Sequence, residues 1–451
     1  MSENPQLLPA VSAFLSSPKQ LLIDGEWVEA KDGQTFATVN PATEETLVQV
    51  AQASAVDADR AVTAARNAFE AGPWSRMSPR DRSHLLWRIG DMIEERAEEF
   101  AQLESLDNGK SLASARGDVG VAAELFRYFA GWATKMEGTT IPMSVPGKEF
   151  HAYTRREAIG VVAGIVPWNF PLTMAAFKIV PSITAGNTIV LKPAEQTPLT
   201  ALRLGELLLE AGVPAGVVNV LPGFGDAGAA LVDHHGVDKV AFTGSTEVGK
   251  KIAAGASRNL KKVSLELGGK APNIIFADAD LDAAIAGAAL AGYFNEGQCC
   301  VNGSRLYVQR EVFDQVIEGW LRRPRPSAWA TPSTRPPRWA RWSRRSSTRR
   351  SWATCAVRWP TVPRSRRAAP TRRPTGATSS PRRSSPTSPS RWRCRPTRSS
   401  ARSSRPSRST ARTRWSRRPT TRSTAWPRAC GRATWAPRTG WAASCGPARS
   451  G

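Results

Sequence analysis

After Leu321 the sequence contains no Leu, Ile, Phe, Met, Tyr, Asn, Gln, His, Lys, Asp or Glu. With so little aliphatic material a chain cannot bury a core that offsets its conformational entropy, so disorder is expected over 322–451. Without acids, the 34 Arg of that stretch stand unopposed, whereas residues 1–321 hold all 38 Asp and Glu against 28 Lys and Arg. The overall charge of +24 therefore describes neither part, and a nucleic-acid partner is not implied by it. Cysteine is scarce before the tail, with only Cys299 and Cys300. Adjacent cysteines rarely pair, which excludes a disulfide framework and favours a reducing cytoplasm. Long apolar runs are also missing. The longest weakly polar one, Ala283–Phe294, is too short and too rich in Ala and Gly to cross a bilayer. The opening residues Met1–Pro9 lack a basic stretch followed by an apolar one, so no secretory signal is expected. The four His show no metal spacing, and no metal is expected.

What the tail does contain is Arg, Ser, Pro, Thr, Ala, Trp, Gly and Cys, with Val357 and Val362 as the only exceptions. A basic low-complexity segment that binds RNA is one reading. The genetic code gives a sharper one. Each of those eight residue types has G or C at the middle codon position. Genes of GC-rich genomes concentrate these bases at the third position, and a one-base slip moves them to the middle. Residues 322–451 are thus read as an out-of-frame tail, whose charge says nothing about partners.

From about residue 160, short β-branched runs alternate with helical patterns. Strands are expected at Gly160–Pro167, Thr188–Leu191, Val217–Leu221, Lys239–Phe242 and Lys262–Leu267. The intervening helices are Pro171–Ser182, Thr200–Ala211, Ala227–Asp233 and Glu247–Ala256. Continuous apolar strands between helices imply an α/β fold with a doubly covered parallel sheet, whose ligands bind beyond the carboxyl ends of the strands. Upstream, Ala55–Ala71 and Asp81–Leu106 read as amphipathic helices, and Leu21–Val28 with Phe36–Asn40 as a small hairpin. A second unit begins near Gly268: strand Asn273–Phe276, helix Leu281–Phe294, a turn at Asn295–Gly297, strand Ser304–Gln309 and helix Val312–Leu321.

Several turns could carry chemistry. Gly223-Phe224-Gly225-Asp226-Ala227-Gly228 fits the dinucleotide fingerprint. The strand that follows ends without the carboxylate a ribose would need, so a plain tight turn serves as well. Phe242–Gly249 takes a strand into a helix over small residues, with free N–H groups that suit a phosphate. Ser245 alone is equally an N-cap. Cys300 sits in a Gly-Gln-Cys-Cys turn where a thiol can be exposed, although most lone cysteines are inert core residues. Glu266, between an apolar strand and Gly268-Gly269, suits a mobile general base or a solvated strand end. Asn169, fixed between two prolines, suits an oxyanion donor or a turn.

Five segments in order resemble the aldehyde dehydrogenase superfamily over about residues 20–321. They are Pro167-Trp168-Asn169-Phe170-Pro171, Leu191-Lys192-Pro193-Ala194-Glu195, Phe242–Gly249, Leu265-Glu266-Leu267-Gly268-Gly269-Lys270 and Gly297-Gln298-Cys299-Cys300. Leu125–Met143 looks most like the tetrameric branch that includes phenylacetaldehyde and betaine aldehyde dehydrogenases. The resemblance implies NAD-dependent oxidation of an aldehyde through a Cys300 thiohemiacetal and thioester. Asn169 and the Cys300 N–H would hold the oxyanion, and Glu266 would activate water. Lys192, also placed in the catalytic set, and Glu195 would bind the adenosine ribose, favouring NAD over NADP. Trp168, Gly225, Phe242, Gly244, Ser245, Val248, Gly249 and Leu267 would line the cofactor.

The implied organisation is a Rossmann-type NAD-binding domain over 1–267, with part of an oligomerisation hairpin near 140–160. The first part of an α/β catalytic domain follows over 268–321, and then the tail. The implied partners are a small aldehyde and further copies of the chain in a tetramer, with neither nucleic acid nor membrane. In the tail, Arg398-Ser399-Ser400-Ala401-Arg402-Ser403 is what codons for Glu-Ile-Phe-Gly-Pro-Val, a family segment, give one base out of frame. Trp329-Ala330-Thr331-Pro332 fits Leu-Gly-Asp-Pro in the same way. The competing readings are an acylating, CoA-dependent dehydrogenase, an inactive truncated product, and a basic RNA-binding protein.

Overall fold

The computed structural model describes residues 7–322 and the backbone of Val357–Trp359. Along the chain, α1 (Pro9–Leu15) precedes two antiparallel hairpins, β1 (Leu21–Ile23) with β2 (Glu26–Val28) and β3 (Thr35–Val39) with β4 (Thr46–Ala51). Helices α2 (Ala55–Glu70), α3 (Pro73–Arg76), α4 (Pro79–Glu95), α5 (Ala97–Asn108) and α6 (Leu112–Ala130) follow, then the short antiparallel pair β5 (Thr140–Ile141) and β6 (Ala152–Tyr153). The alternating part runs β7 (Val161–Ile165), α7 (Pro171–Thr184), β8 (Thr188–Lys192), α8 (Leu199–Glu210) and β9 (Val218–Val220). It continues with α9 (Gly225–Asp233), β10 (Lys239–Gly244), α10 (Thr246–Ala256) and β11 (Lys262–Leu267). Beyond it lie β12 (Pro272–Ile275), α11 (Leu281–Tyr293), a 3-10 turn at Phe294–Gly297, β13 (Arg305–Gln309), α12 (Phe313–Arg322) and β14 (Val357–Trp359).

Seven strands form one sheet in the order β11-β10-β7-β8-β9-β1-β2. The first five are parallel, and the β1–β2 hairpin closes the β9 edge antiparallel. Successive side chains of a strand point to opposite faces, and here the two faces enter two different cores. Val162, Ile189, Leu191, Val218 and Val220 pack into the layer that holds helices α4 to α8. Val161, Ala163, Ile165, Val190 and Val240 pack into the layer with residues of α2, α9 and α10. That double covering is why β7 and β8 are buried at every position and read as unbroken apolar runs. Because the strand order turns back at β7, with β8 on one side and β10 on the other, a crevice is expected beyond the carboxyl ends there.

Three sequence expectations are corrected. Leu21–Val28 and Phe36–Asn40 do not pair with each other: the first is itself a hairpin on the main sheet, and the second pairs with Thr46–Ala51. Asp81–Leu106 is two helices, broken at Arg96, whose backbone (φ −106°, ψ 23°) leaves helical geometry. The Arg96 guanidinium reaches Glu210 of α8 at 2.6 Å. Finally, Val357–Trp359, within the stretch expected to be disordered, pairs in parallel with Tyr307–Gln309. The rest of that expectation, and the decoded segments at 329–332 and 398–403, lie outside the described residues.

Candidate active site

Because β7 to β11 are parallel, their carboxyl ends share one edge, and every residue singled out from the sequence sits there or in the turn that carries Cys300. Val161–Ile165 leads into Pro167–Pro171, and Pro171 opens α7 where a missing N–H costs nothing. This loop is held from below. The Trp168 carbonyl accepts from Asn108 Nδ2 at 2.9 Å and from Thr197 Oγ1 at 3.2 Å. The Asn169 carbonyl accepts from Asn295 Nδ2 at 2.9 Å and from Lys110 Nζ at 3.2 Å.

The cysteine turn follows α11. Asn295, Glu296 and Gly297 all take left-handed backbone, with φ of 49°, 55° and 76°. A run of three such residues reverses the chain so that Gln298 N–H donates back to the Asn295 carbonyl at 2.8 Å. The side chain of Asn169 joins this turn directly, its Nδ2 donating to the Gln298 carbonyl at 2.7 Å across 129 residues of sequence. Phe170 and Phe294 stack with centroids 6.0 Å apart beside it. Both thiols are free; Cys299 is half-buried and Cys300 is exposed. Burial pushes the Cys299 thiol above its ordinary value, so of the two the exposed Cys300 is the better placed to meet a solute.

Glu266 stands exposed at the end of β11, in register with Thr243. Among the described residues no hydrogen bond joins it to Asn169 or Cys300. Its field reaches Lys178 on α7, whose ammonium burial pushes down and Glu266 partly restores.

The remaining predicted residues form the neighbouring stretch of the same edge. Lys192 ends β8 as a buried ammonium, donating to the Pro193 carbonyl at 2.9 Å and lying 3.5 Å from Glu195 Oε2. Burial pushes its pKa down, with Glu195 and Asp226 opposing that shift. Gly225 begins α9, which has no side-chain cap, so the first N–H groups of that helix are unclaimed, and the space where a Cβ would sit is open. Ser245 caps α10 through Val248 N–H at 3.2 Å, the bland role weighed for it above. Gly244 and Gly249 have a packing reason of their own: a Cβ there would lie 2.4 Å from the Phe242 ring and 2.5 Å from Leu267. Val248 is exposed on the first turn of α10. An open helix start, a Lys–Glu pair and small residues in close succession fit a dinucleotide, offering N–H donors to a phosphate and a carboxylate to sugar hydroxyls.

Sequence reasoning missed Lys110, Glu104, Asp118, Lys178 and Asn295. Their signal is three-dimensional: a buried Lys110 ammonium flanked by Glu104 at 3.3 Å and by Asp118, under a loop far away in sequence.

A family model described as the aldehyde dehydrogenase family matches residues 27–326. The phenylacetaldehyde dehydrogenase of Pseudomonas fluorescens is 50% identical over 316 residues, covering 69% of this chain and 63% of that one. The human mitochondrial aldehyde dehydrogenase is 52% identical over 304 residues, covering 66% and 58%. Among solved structures, the NAD+ complex of an aldehyde dehydrogenase from Bacillus cereus superposes with a TM-score of 0.69 at 51% identity, covering 70% of this chain and 65% of that one. The chain thus spans about three fifths of the length of these curated relatives. Through the matched segment, which fills well over half its length, this chain belongs to the aldehyde dehydrogenase family.

Proposed function

We propose that the chain carries the catalytic residues of an NAD-dependent aldehyde dehydrogenase that turns a small aldehyde into a carboxylic acid. The observation that carries this reading is the 2.7 Å bond from Asn169 to the Gln298 carbonyl, which sets an amide donor beside the turn that exposes Cys300. The Cys300 thiolate attacks the aldehyde carbon, and the carbonyl electron pair moves onto oxygen. The second N–H of the Asn169 amide and the Cys300 backbone N–H hold that charge, which a weak electrophile needs before it can react further. Bound NAD supplies an acceptor for the hydride. The acyl group is then left on Cys300 as a thioester. Glu266 takes a proton from water, the resulting hydroxide adds to the thioester carbonyl, and the Cys300 thiolate leaves.

Lys192 and Glu195 would bind the adenosine ribose hydroxyls, and a carboxylate at that place repels a 2′-phosphate, favouring NAD over NADP. Trp168, Gly225, Phe242, Gly244, Ser245, Val248, Gly249 and Leu267 would surround the rest of the dinucleotide. Residues 1–267 serve as its binding domain and 268–321 as the start of the catalytic one. The β5–β6 pair, with exposed Ile141, Met143, Phe150 and Tyr153 around it, is suited to contact further copies of the chain in a tetramer. Two free, adjacent cysteines suit a reducing cytoplasm. The tail is read as an out-of-frame continuation, supported by the family match ending at residue 326, close to the last acidic residue, Glu318. Sequencing the gene around codon 321 tests this: one base added or removed must restore a family-like ending.

The experiment for the site is an aldehyde assay with NAD, with and without CoA, on the full chain and its Cys300→Ser and Cys299→Ser variants. NADH formation that needs Cys300 but neither Cys299 nor CoA supports the reading. Dependence on CoA identifies the acylating reaction instead, and turnover that survives Cys300→Ser overturns both.

A further inference from the structure

Lys110 is a fully buried lysine that the mechanism above does not use. It lies in the link between α5 and α6, and its ammonium donates in three directions: to Glu104 Oε1 at 3.3 Å, to Asp118 and to the Asn169 carbonyl at 3.2 Å. The same ammonium lies 4.6 Å from the centroid of the Phe170 ring. Burying a charged amine costs several kcal/mol unless it is paired and hydrogen-bonded, so a lysine at this depth holds its place only with all three partners. Glu104 in turn grips the same loop from its other side, its Oε2 accepting from the Leu172 N–H at 3.1 Å. The peptide that carries the Asn169 side chain is thus tied at its carbonyl by Lys110 and Asn295, and three residues further on, at Leu172, by Glu104.

We propose that Lys110 is a positioning residue for Asn169: held by Glu104 and Asp118, it fixes the peptide from which the Asn169 amide reaches the cysteine turn. It touches neither substrate nor cofactor. With the carbonyl released, the loop keeps its Pro171 end in α7 but loses the constraint on the Asn169 peptide, and the amide no longer faces the developing oxyanion in one fixed orientation. The inference rests on the proposed role of Asn169 as oxyanion donor.

Two reactions of Cys300 separate positioning from simple stability, and neither needs a cofactor. In the first, the thiolate attacks p-nitrophenyl acetate. The new S–C bond forms through a tetrahedral oxyanion, the C–O bond breaks, and p-nitrophenolate leaves with the electron pair. In the second, the thiolate displaces iodide from iodoacetamide, with no charge developing on a carbonyl oxygen. Both are followed on the full chain by peptide mass mapping, so that Cys300 is told apart from Cys299 and the tail cysteines. Losing an oxyanion donor costs about 100- to 1,000-fold, and misplacing one about 10- to 100-fold.

Lys110→Met is expected to slow acylation by about 10- to 100-fold while alkylation changes less than about twofold. Asn169→Ala is expected to show the same split, and the double variant to be no slower than Asn169→Ala alone, because the two residues act through one amide. Lys110→Met leaves two buried carboxylates without their cation and could fail to fold. Glu104→Gln/Lys110→Met/Asp118→Asn removes the three charges together, a change folds tolerate better, and must show the same split. Equal loss in both reactions, no loss in acylation, or effects that multiply in the double variant would overturn the proposal while leaving Asn169 in its role. Acylation that is unmoved by Asn169→Ala would remove the oxyanion reading itself, and this proposal with it.

Discussion

The seven-stranded sheet and the small sheet that follows it are built from similar residues and finished to different degrees. In the first, β7 and β8 are buried at every position, and two cores meet across them. In the second, Ile275 is the one buried residue of β12, and the core among the described residues is Ile275, Ile285, Ala288, Leu306, Val308 and Val316 with their partly covered neighbours. Ile274 is 57% exposed there and Val301 77%. A parallel sheet wants cover on both faces, and among the described residues the larger one has it. The candidate site draws on both: Asn169, Lys192 and Glu266 stand on the finished sheet, and Cys300 on a turn of the unfinished unit.

The sharpest way to break that comparison is at the thiol. Cys300→Ser is expected to reduce aldehyde-dependent NADH formation to background, while NAD still binds to the finished sheet, as followed by fluorescence titration. If nucleotide binding fell with it, the two units would not be separable. A second test compares cores. Leu191→Ala, in the buried run of β8, is expected to cost about 3 kcal/mol, and Ile274→Ala, on the open face of β12, under about 0.5 kcal/mol, in urea unfolding followed by fluorescence.

Smaller effects sharpen the picture further. Gly249→Ala forces a Cβ to within 2.5 Å of the Leu267 side chain. It is expected to cost about 1–3 kcal/mol and to weaken NAD binding, read by thermal melts with and without the nucleotide. Least of all, Glu210 is held below the ordinary carboxylate range, chiefly by its hydrogen bond from Arg96. A depressed folded-state pKa gives stability that is present at neutral pH and is lost as pH falls below the ordinary carboxylate value. Glu210→Gln is thus expected to lower the melting temperature slightly at pH 7 and not at pH 3. The pair is largely exposed, so solvent keeps the difference small.

Legibility in the sequence depended on whether the signal was local. Lys262–Leu267 and Pro171–Thr184 were readable almost to the residue, because the alternation of Val263, Leu265 and Leu267 with polar residues and a proline at a helix start are local signals. The break at Arg96 was not, since neither Gly nor Pro marks it and the apolar period carries across; the guanidinium there meets a partner on α8, 114 positions later. The motif residues Asn169, Lys192, Gly244 and Glu266 lie near one another because they end parallel strands or follow them directly, and the topology gathers those ends. Lys110 was not, because its meaning lies in Glu104, Asp118 and Asn169, and only the last belongs to a recognisable motif. Of the tail, composition alone could be read, and composition places no side chain.

The pairing of Leu22 with Val220 has a consequence for how the molecule is made. The β1–β2 hairpin leaves the ribosome early, yet the strand it must lie against is nearly 200 residues behind. At about 5–20 residues per second, it waits on the order of ten seconds or more with its edge uncovered. Every strand of the large sheet has emerged once residue 267 is out, well before the arginine-rich tail is translated. Whatever that tail does later, all seven strands of the large sheet precede it in the chain.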